Sequence, residues 1–159
     1  MIVILNRYQI NFKFEGFKFL KFSFEQTDSI FDGEDFEFQL ATNIEGSGPV
    51  KAETSHIIVK VIVLVRRKSL NKIVSNIETA SLFRVEGIGK FVDKEGKVKY
   101  PETILSHLVS LAISTTRGAI LAKGAGSFLE NMPLPIVDPK NFFPVRNDQD
   151  PNETHQEIH

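Results

Sequence analysis

The 159-residue sequence contains no cysteine, which excludes disulfide staples, thiol nucleophiles and cysteine-rich zinc sites together. It also lacks charge of one sign. Nineteen Lys and Arg stand against twenty Asp and Glu, a formal net charge of -1, so no overall basic field favours nucleic acid. Long hydrophobic runs are missing too. The longest apolar tract, Ile57 to Val65, is interrupted by Lys60, and falls far short of the roughly 20 residues that a spanning helix needs. The opening MIVILNRYQ places its apolar residues before its charge, the reverse of a secretory signal, so no signal peptide is predicted. Four histidines, His56, His107, His155 and His159, show no metal-ligand spacing. GIGKF (87–91) lacks the spacing of a phosphate loop, and KGAGS (123–127) follows a helical pattern instead of preceding one. The pattern predicts no catalysis, no metal and no cofactor.

What the chain has in excess is phenylalanine. Nine of its fourteen lie between Phe12 and Phe38. Phe12 and Phe14, Phe17 and Phe19, Phe22 and Phe24, and Phe36 and Phe38 are each two apart. Side chains alternate faces along a strand, so each such pair points to one side of a sheet. Gly16 interrupts the first run, as an isolated glycine does at a bulge or bend. The apolar positions change parity at Phe19–Leu20, which requires the strand to twist, bulge or cross to another neighbour, and predicts Phe on its second face as well.

Further along, the residues from Asp28 to Gly33 form a polar loop around Ile30 and Phe31, and Asp35 to Leu40 alternates as a half-exposed strand. Asn43 to Pro49 reads as a loop. His56 to Val65, β-branched on both faces, reads as a central strand. The triplet Arg66, Arg67, Lys68 reads as a solvated strand end followed by a turn. Ile77 to Ile88 is a fourth long strand. Pro101 leads into a helix over Thr103 to about Ala122, with Glu102 in its first turn.

Two apolar stripes run along that helix. One carries Ile104, Leu108, Leu111, Ala112, Thr115 and Ala119; the other carries Leu105, Val109, Ile113, Thr116 and Ile120. So broad a belt requires cover on more than one side. Leu108, Leu111, Ala112, Thr115 and Ala119 are therefore the expected contact with the same helix of another subunit. Pro133 to Phe143 follows, too rich in proline for helix or central strand yet apolar at Leu134, Ile136, Val137, Phe142 and Phe143. It must lie extended on a hydrophobic surface. One domain over 1–143 and a polar, disordered tail over 144–159 complete the expected organisation.

Three stretches resemble the SecB-type protein-export chaperones: the strand SLFRVEGI (81–88), TRGAI (116–120) on the helix, and PLPIVDPKNF (133–142). FKFEGFKFLKFSFE also resembles that family's first strand and its crossover. The positions matching the family's Phe-Pro-Tyr helix opening, Ile113 to Thr115, lack both proline and aromatic, and no second helical pattern follows Phe143. The resemblance implies an α+β fold, a four-stranded antiparallel sheet with one long helix packed on one face, assembled as a homodimer or as a homotetramer that is a dimer of dimers. It implies a cytoplasmic chaperone, without nucleotide or cofactor, that holds unfolded or newly made polypeptide, such as a preprotein, in hydrophobic grooves. Its partners are the client and an export motor; the alternative is a module dedicated to one partner, such as an antitoxin. Nucleic-acid binding and membrane insertion are not expected.

For such a protein the chemistry is burial, roughly 1.5–3 kcal/mol for each large apolar client side chain taken out of water. The expected peptide-binding residues are Phe17, Phe19, Phe22 and Phe24 at the parity change, with Phe128, Leu134, Ile136 and Val137.

Overall fold

The computed structural model describes residues 2–5, 8–26, 33–51 and 54–143. The expected polar loop at 28–33, except Gly33, and the C-terminal tail at 144–159 lie outside the described residues. Five strands, β1 (Ile2–Leu5), β2 (Tyr8–Phe24), β3 (Phe36–Lys51), β4 (Thr54–Arg67) and β5 (Lys72–Glu86), precede one long helix, α1 (Glu102–Lys123). The sheet is antiparallel throughout, in the order β1-β2-β5-β4-β3. Four long strands form its body; β1 adds a short strip against Tyr8–Asn11. β2 pairs with β5 and not with β3, so these two strands, consecutive among the strands of the chain, are separated in the sheet by β5 and β4.

β4 is the interior strand its β-branched sequence demands. Ile57, Val59, Val61, Val63 and Val65 are buried, and Ile58, Ile62 and Leu64 lie half-buried on the other face. The matching row on β5, Ile77, Thr79, Ser81, Phe83 and Val85, is buried too. α1 lies over this face, with Ile104, Leu108, Val109, Ala112, Ile113, Thr116 and Ile120 turned inward. In length and apolarity α1 matches a bilayer span, but this stripe is spent on the sheet. Where helix meets sheet, the hydroxyls of Thr79 and Thr116, both fully buried, share a hydrogen bond of 2.7 Å.

Two sequence expectations need correction. Asn43–Pro49 is not a loop: β3 continues through it to Lys51, in register with β4 as far as Ser47↔His56 and with a shift before Lys51↔Thr54. An edge strand tolerates Gly and Pro where a central one does not. The second correction concerns the Phe-rich strand. Its register slips between Phe14 and Gly16 and again between Phe19 and Lys21, so Glu15 and Leu20 are extra residues. Phe12, Phe14, Phe17, Phe19, Phe22 and Phe24 thus stand opposite Val85, Phe83, Ser81, Thr79, Ile77 and Ser75, all on the helix side. The bulges that the parity change implied are present, and they keep every Phe off the second face.

Beyond Phe22 and Phe36 the sheet end is fastened by Asp35. Its carboxylate accepts hydrogen bonds from Ser69 Oγ (2.6 Å), Ser69 N (2.7 Å) and Arg67 Nε (2.8 Å), and its backbone oxygen accepts from Lys68 N (2.7 Å). The basic triplet is thus a strand end and turn, with Arg67 spent on Asp35. α1 runs on through Gly118 and stops at Gly124. A Cβ at Gly124 would stand 2.7 Å from Leu129 Cβ and 2.8 Å from the Ile120 carbonyl oxygen, so only glycine lets the chain fold back there.

Two outcomes follow for stability. The Ser69 hydroxyl and Arg67 hold the Asp35 carboxyl at about 2, below the ordinary carboxylate range. A depressed folded pKa means that its contribution is present above the unfolded value of about 3.9 and lost as pH falls through the folded one. In urea melts from pH 7 to pH 2, the gap between wild type and Asp35→Asn is expected to hold at the upper end and to narrow below about pH 4. Thr116→Val alone orphans the Thr79 hydroxyl and is expected to cost about 1–3 kcal/mol, whereas Thr79→Val/Thr116→Val recovers most of that loss.

Candidate polypeptide-binding site

The two bulges place four rings of β2 in a line. Phe17 and Phe19 meet edge to face with centroids 5.4 Å apart, Phe19 and Phe22 at 5.0 Å, and Phe22 and Phe24 at 5.9 Å. Phe24 then meets Phe128 at 6.2 Å, and Phe128 stacks on Phe36 at 5.5 Å with 13° between the ring planes. Phe128 belongs to the 3-10 turn Phe128–Asn131, which begins where Ser127 Oγ accepts from the Leu129 N–H. It bridges the far end of β2 to the start of β3, two strands that β5 and β4 separate in the sheet.

This ribbon lies beyond the helix. α1 covers β4 and β5 and ends at Lys123, whose ammonium stands 5.5 Å from the Phe19 ring centroid and 5.2 Å from that of Phe22. The rings are therefore neither core nor fully bare. Phe17, Phe19, Phe22, Phe36 and Phe128 are half-buried, and Phe24 is 38% exposed. Edge-to-face contacts, at about 0.5–1.5 kcal/mol each, and the cation over two ring faces hold them in place. What remains exposed is a continuous aromatic strip with one mobile-stemmed cation above it. It can take apolar side chains out of water with little regard to sequence.

The proline-rich segment returns along α1. Arg117 fixes it: Nε donates to the Leu134 carbonyl (3.1 Å) and Nη2 to the Pro135 carbonyl (2.9 Å). Met132 and Leu134 are buried by this docking, Val137 is half-buried against the core, and Ile136 is 93% exposed. Asp138 caps the closing 3-10 turn Pro139–Phe142 by accepting from the Lys140 N–H.

The structure thus brings together Phe17, Phe19, Phe22, Phe24 and Phe128 of the expected peptide-binding set. Leu134 is buried within the chain and is not available to a partner, while Ile136 projects from the extended segment. Of the expected subunit contact, Leu108 and Ala112 are fully buried in the chain's own core; Leu111, at 37% exposure, and the half-buried Thr115 and Ala119 face outward. Sequence reasoning missed Phe36 and Lys123 as members of the ribbon. Phe36 joins through the strand order, which no local pattern reports, and Lys123 through the point at which the helix ends.

No protein-family model matches the sequence, and no curated protein matches it. Among solved structures the fold is similar to the SecB-like chaperone Rv1957 of Mycobacterium tuberculosis, determined in complex with a ChAD peptide from the Rv1956 HigA1 antitoxin. The TM-score is 0.52 at 13% sequence identity, over 79% of this chain and 89% of that one. A protein of unknown function from Streptococcus agalactiae matches with a TM-score of 0.49 at 8% identity, over 80% of this chain and 97% of that one. The fold is SecB-like: a four-stranded antiparallel sheet plus one long helix, here with β1 added at one edge.

Arg117→Ala is expected to release residues 132–137 while leaving the sheet intact. Hydrogen exchange should quicken in that segment and not in β4, with a stability loss of about 1.5–3 kcal/mol for the charged hydrogen bonds. Arg117→Lys should restore only part of it, because a single ammonium does not reproduce the planar fork.

Proposed function

We propose that this chain is a chaperone that holds unfolded or newly synthesised polypeptide on the aromatic ribbon of β2, acting by burial and without nucleotide, cofactor or catalysis. The observation that carries this reading is the ribbon itself. A chain able to bury Ile10 and Phe83 completely leaves Phe17 to Phe24 half-exposed in one line. A large contiguous apolar strip on a protein surface marks a binding site. The SecB-like fold supports the same reading, because a chaperone of that fold has been solved with a peptide bound. The proposed setting is cytoplasmic, with clients that include preproteins for an export motor. The outward residues of α1, Leu111, Thr115 and Ala119, are the proposed contact of a homodimer or homotetramer.

A second reading has its own support. The peptide in the neighbouring structure comes from one antitoxin, so this chain is alternatively a module that guards a single partner. Pull-down from the native host separates the two: a spread of unfolded preproteins favours general holding, and one dominant protein favours the dedicated role.

Each client side chain as large as Phe or Leu that reaches the ribbon contributes roughly 1.5–3 kcal/mol before the costs of association are subtracted. The purified protein is therefore expected to suppress aggregation of a chemically denatured client near stoichiometric ratio, followed by light scattering. Phe22→Ser/Phe24→Ser should lose most of that suppression while keeping the wild-type circular dichroism spectrum. If the wild type neither suppresses aggregation nor binds an unfolded chain, the chaperone reading is wrong.

A further inference from the structure

β4 has the sequence of a strand covered on both faces, and α1 covers one of them. An antiparallel sheet with one solvated face places mostly polar residues there. Here the face opposite α1 carries Ile58, Ile62 and Leu64 of β4 and Ala80 and Leu82 of β5, with Lys60 and Glu78 among them. Ala80 is buried, and the other four apolar residues are half-buried.

At one point this face is hollow. Gly16, Phe17, Lys18, Ile58, Ala80 and Leu82 line a gap of about 290 Å³. The register explains where it lies. Gly16 stands opposite Leu82, which stands opposite Ile58; in the next row Lys18 stands opposite Ala80, which stands opposite Lys60. Gly16 and Ala80 are therefore diagonal neighbours, and the space that larger side chains would fill stays open beside Leu82 and Ile58.

Nothing in the chain itself requires glycine at position 16. A Cβ there would meet no atom within 4 Å among the described residues, and φ lies outside the left-handed region. Gly16 adjoins the extra residue Glu15, but with that backbone alanine would serve the bulge equally well. Glycine weakens a strand, and inside one it often marks the close approach of a ligand or another chain.

Charge narrows what fits. Lys60 is held by Glu45 at 2.8 Å, and Arg84 by Glu86 at 3.0 Å and by Glu15 at 3.6 Å; Glu15 also stands 3.4 Å from His56. Glu78 lies one row further on, opposite Lys21. Lys18 is exposed and has no ion-pair partner among the described residues. The gap is thus an apolar hollow with one uncommitted ammonium at its rim.

We propose that this hollow is a second binding pocket, on the face opposite the ribbon, and that it takes one large apolar side chain of a partner polypeptide whose neighbouring carboxylate pairs with Lys18. The proposal goes beyond the chaperone reading and stands without it. The volume falls at the bottom of the roughly 300–1,000 Å³ range of small-molecule pockets, which suits a single anchoring side chain. A segment anchored there and running along Ile62 and Leu64 covers the apolar residues that α1 leaves open. One side chain buried in a pocket carries a large share of the affinity of such a contact.

The test uses the full chain and three fluorescein-labelled peptides, built otherwise of glycine and serine. One contains Phe-Glu, one Phe-Lys and one Ala-Glu. Binding is read by fluorescence anisotropy. The Ala-Glu peptide is expected to bind about tenfold more weakly than Phe-Glu, for want of the apolar anchor. The Phe-Lys peptide should bind about three- to fivefold more weakly at low salt, a difference that shrinks at high salt. Gly16→Leu fills the hollow from its own strand and should weaken Phe-Glu binding about tenfold. Lys18→Glu should turn the preference toward Phe-Lys. Phe22→Ser/Phe24→Ser strips the ribbon and should leave this binding unchanged. Each variant is checked by circular dichroism, and if Gly16→Leu does not fold, Lys18→Glu and the ribbon variant decide.

No binding of Phe-Glu, undiminished binding by a folded Gly16→Leu, equal affinity for the two charge patterns, or an unchanged preference in Lys18→Glu would each overturn the proposal. So would loss of binding in the ribbon variant, since the peptide would then sit on the ribbon. A sedimenting mass that falls in Gly16→Leu would overturn it as well, since a second copy would then fill the hollow. Suppression of client aggregation reads the ribbon, and its outcome bears on the chaperone reading alone.

Discussion

Two residues of β2, Glu15 and Leu20, have no counterpart in β5, and the character of the protein depends on them. Side chains alternate along a strand with a period of two. The phenylalanines of β2 are spaced two, three, two, three and two apart, from Phe12 to Phe24. Each interval of three carries one extra residue, and each extra residue is absorbed as a bulge. Without the bulges, a one-residue slip would send Phe17 and Phe19 to the face that Lys13 occupies, and the ribbon would be cut into pieces on alternate sides. With them, one face receives six aromatic rings in register and the other receives the lysines.

That arrangement separates the core from the strip proposed to bind. β4, β5 and α1 supply most of the core, down to the paired hydroxyls of Thr79 and Thr116, and Leu129, Met132 and Leu134 join it from the segment after the helix. The helix is centred on those two strands, so β2 contributes Ile10 and Phe12 to the core and then runs out from under it. The half-exposed rings are kept ordered by one another, by Phe128 and by Lys123, and they do not require a covering element to hold the sheet together. Arg117 does for the C-terminal segment what a ladder cannot. Proline removes N–H donors there, and the arginine instead engages two of the segment's carbonyl groups from the helix side.

The fold was largely legible in the sequence wherever local pattern and tertiary environment agree. β-branched residues on both faces marked β4, helical periodicity marked α1, and Gly16 with the parity change at Phe19–Leu20 marked the two irregularities of β2. The inference about faces failed because counting parity assumes an unbroken register, and a bulge resets the count. β3 beyond Asn43 was hidden because Gly46, Gly48 and Pro49 read as turn residues; what makes them strand is the length of β4 beside them. In the candidate site, the row Phe17 to Phe24 and Phe128 were visible as excess aromatic surface. Phe36, Lys123 and the burial of Leu108, Ala112 and Leu134 were not, since each depends on which elements lie side by side.

A surface proposed to hold unfolded chain must attract apolar segments without inviting aggregation, and both demands fall on one strand here. Phenylalanine on one face of β2 invites association, and an open edge invites pairing, so together they create an aggregation hazard. Lys13, Lys18 and Lys21 stand exposed on the other face, and lysines on an edge blunt indiscriminate pairing. The bulges add local twist, which further disfavours flat edge-to-edge stacking. They are the same two residues that bring the rings into line. The irregularity that assembles the ribbon therefore also twists the edge beside it, and the sequence cannot lose one effect without losing the other.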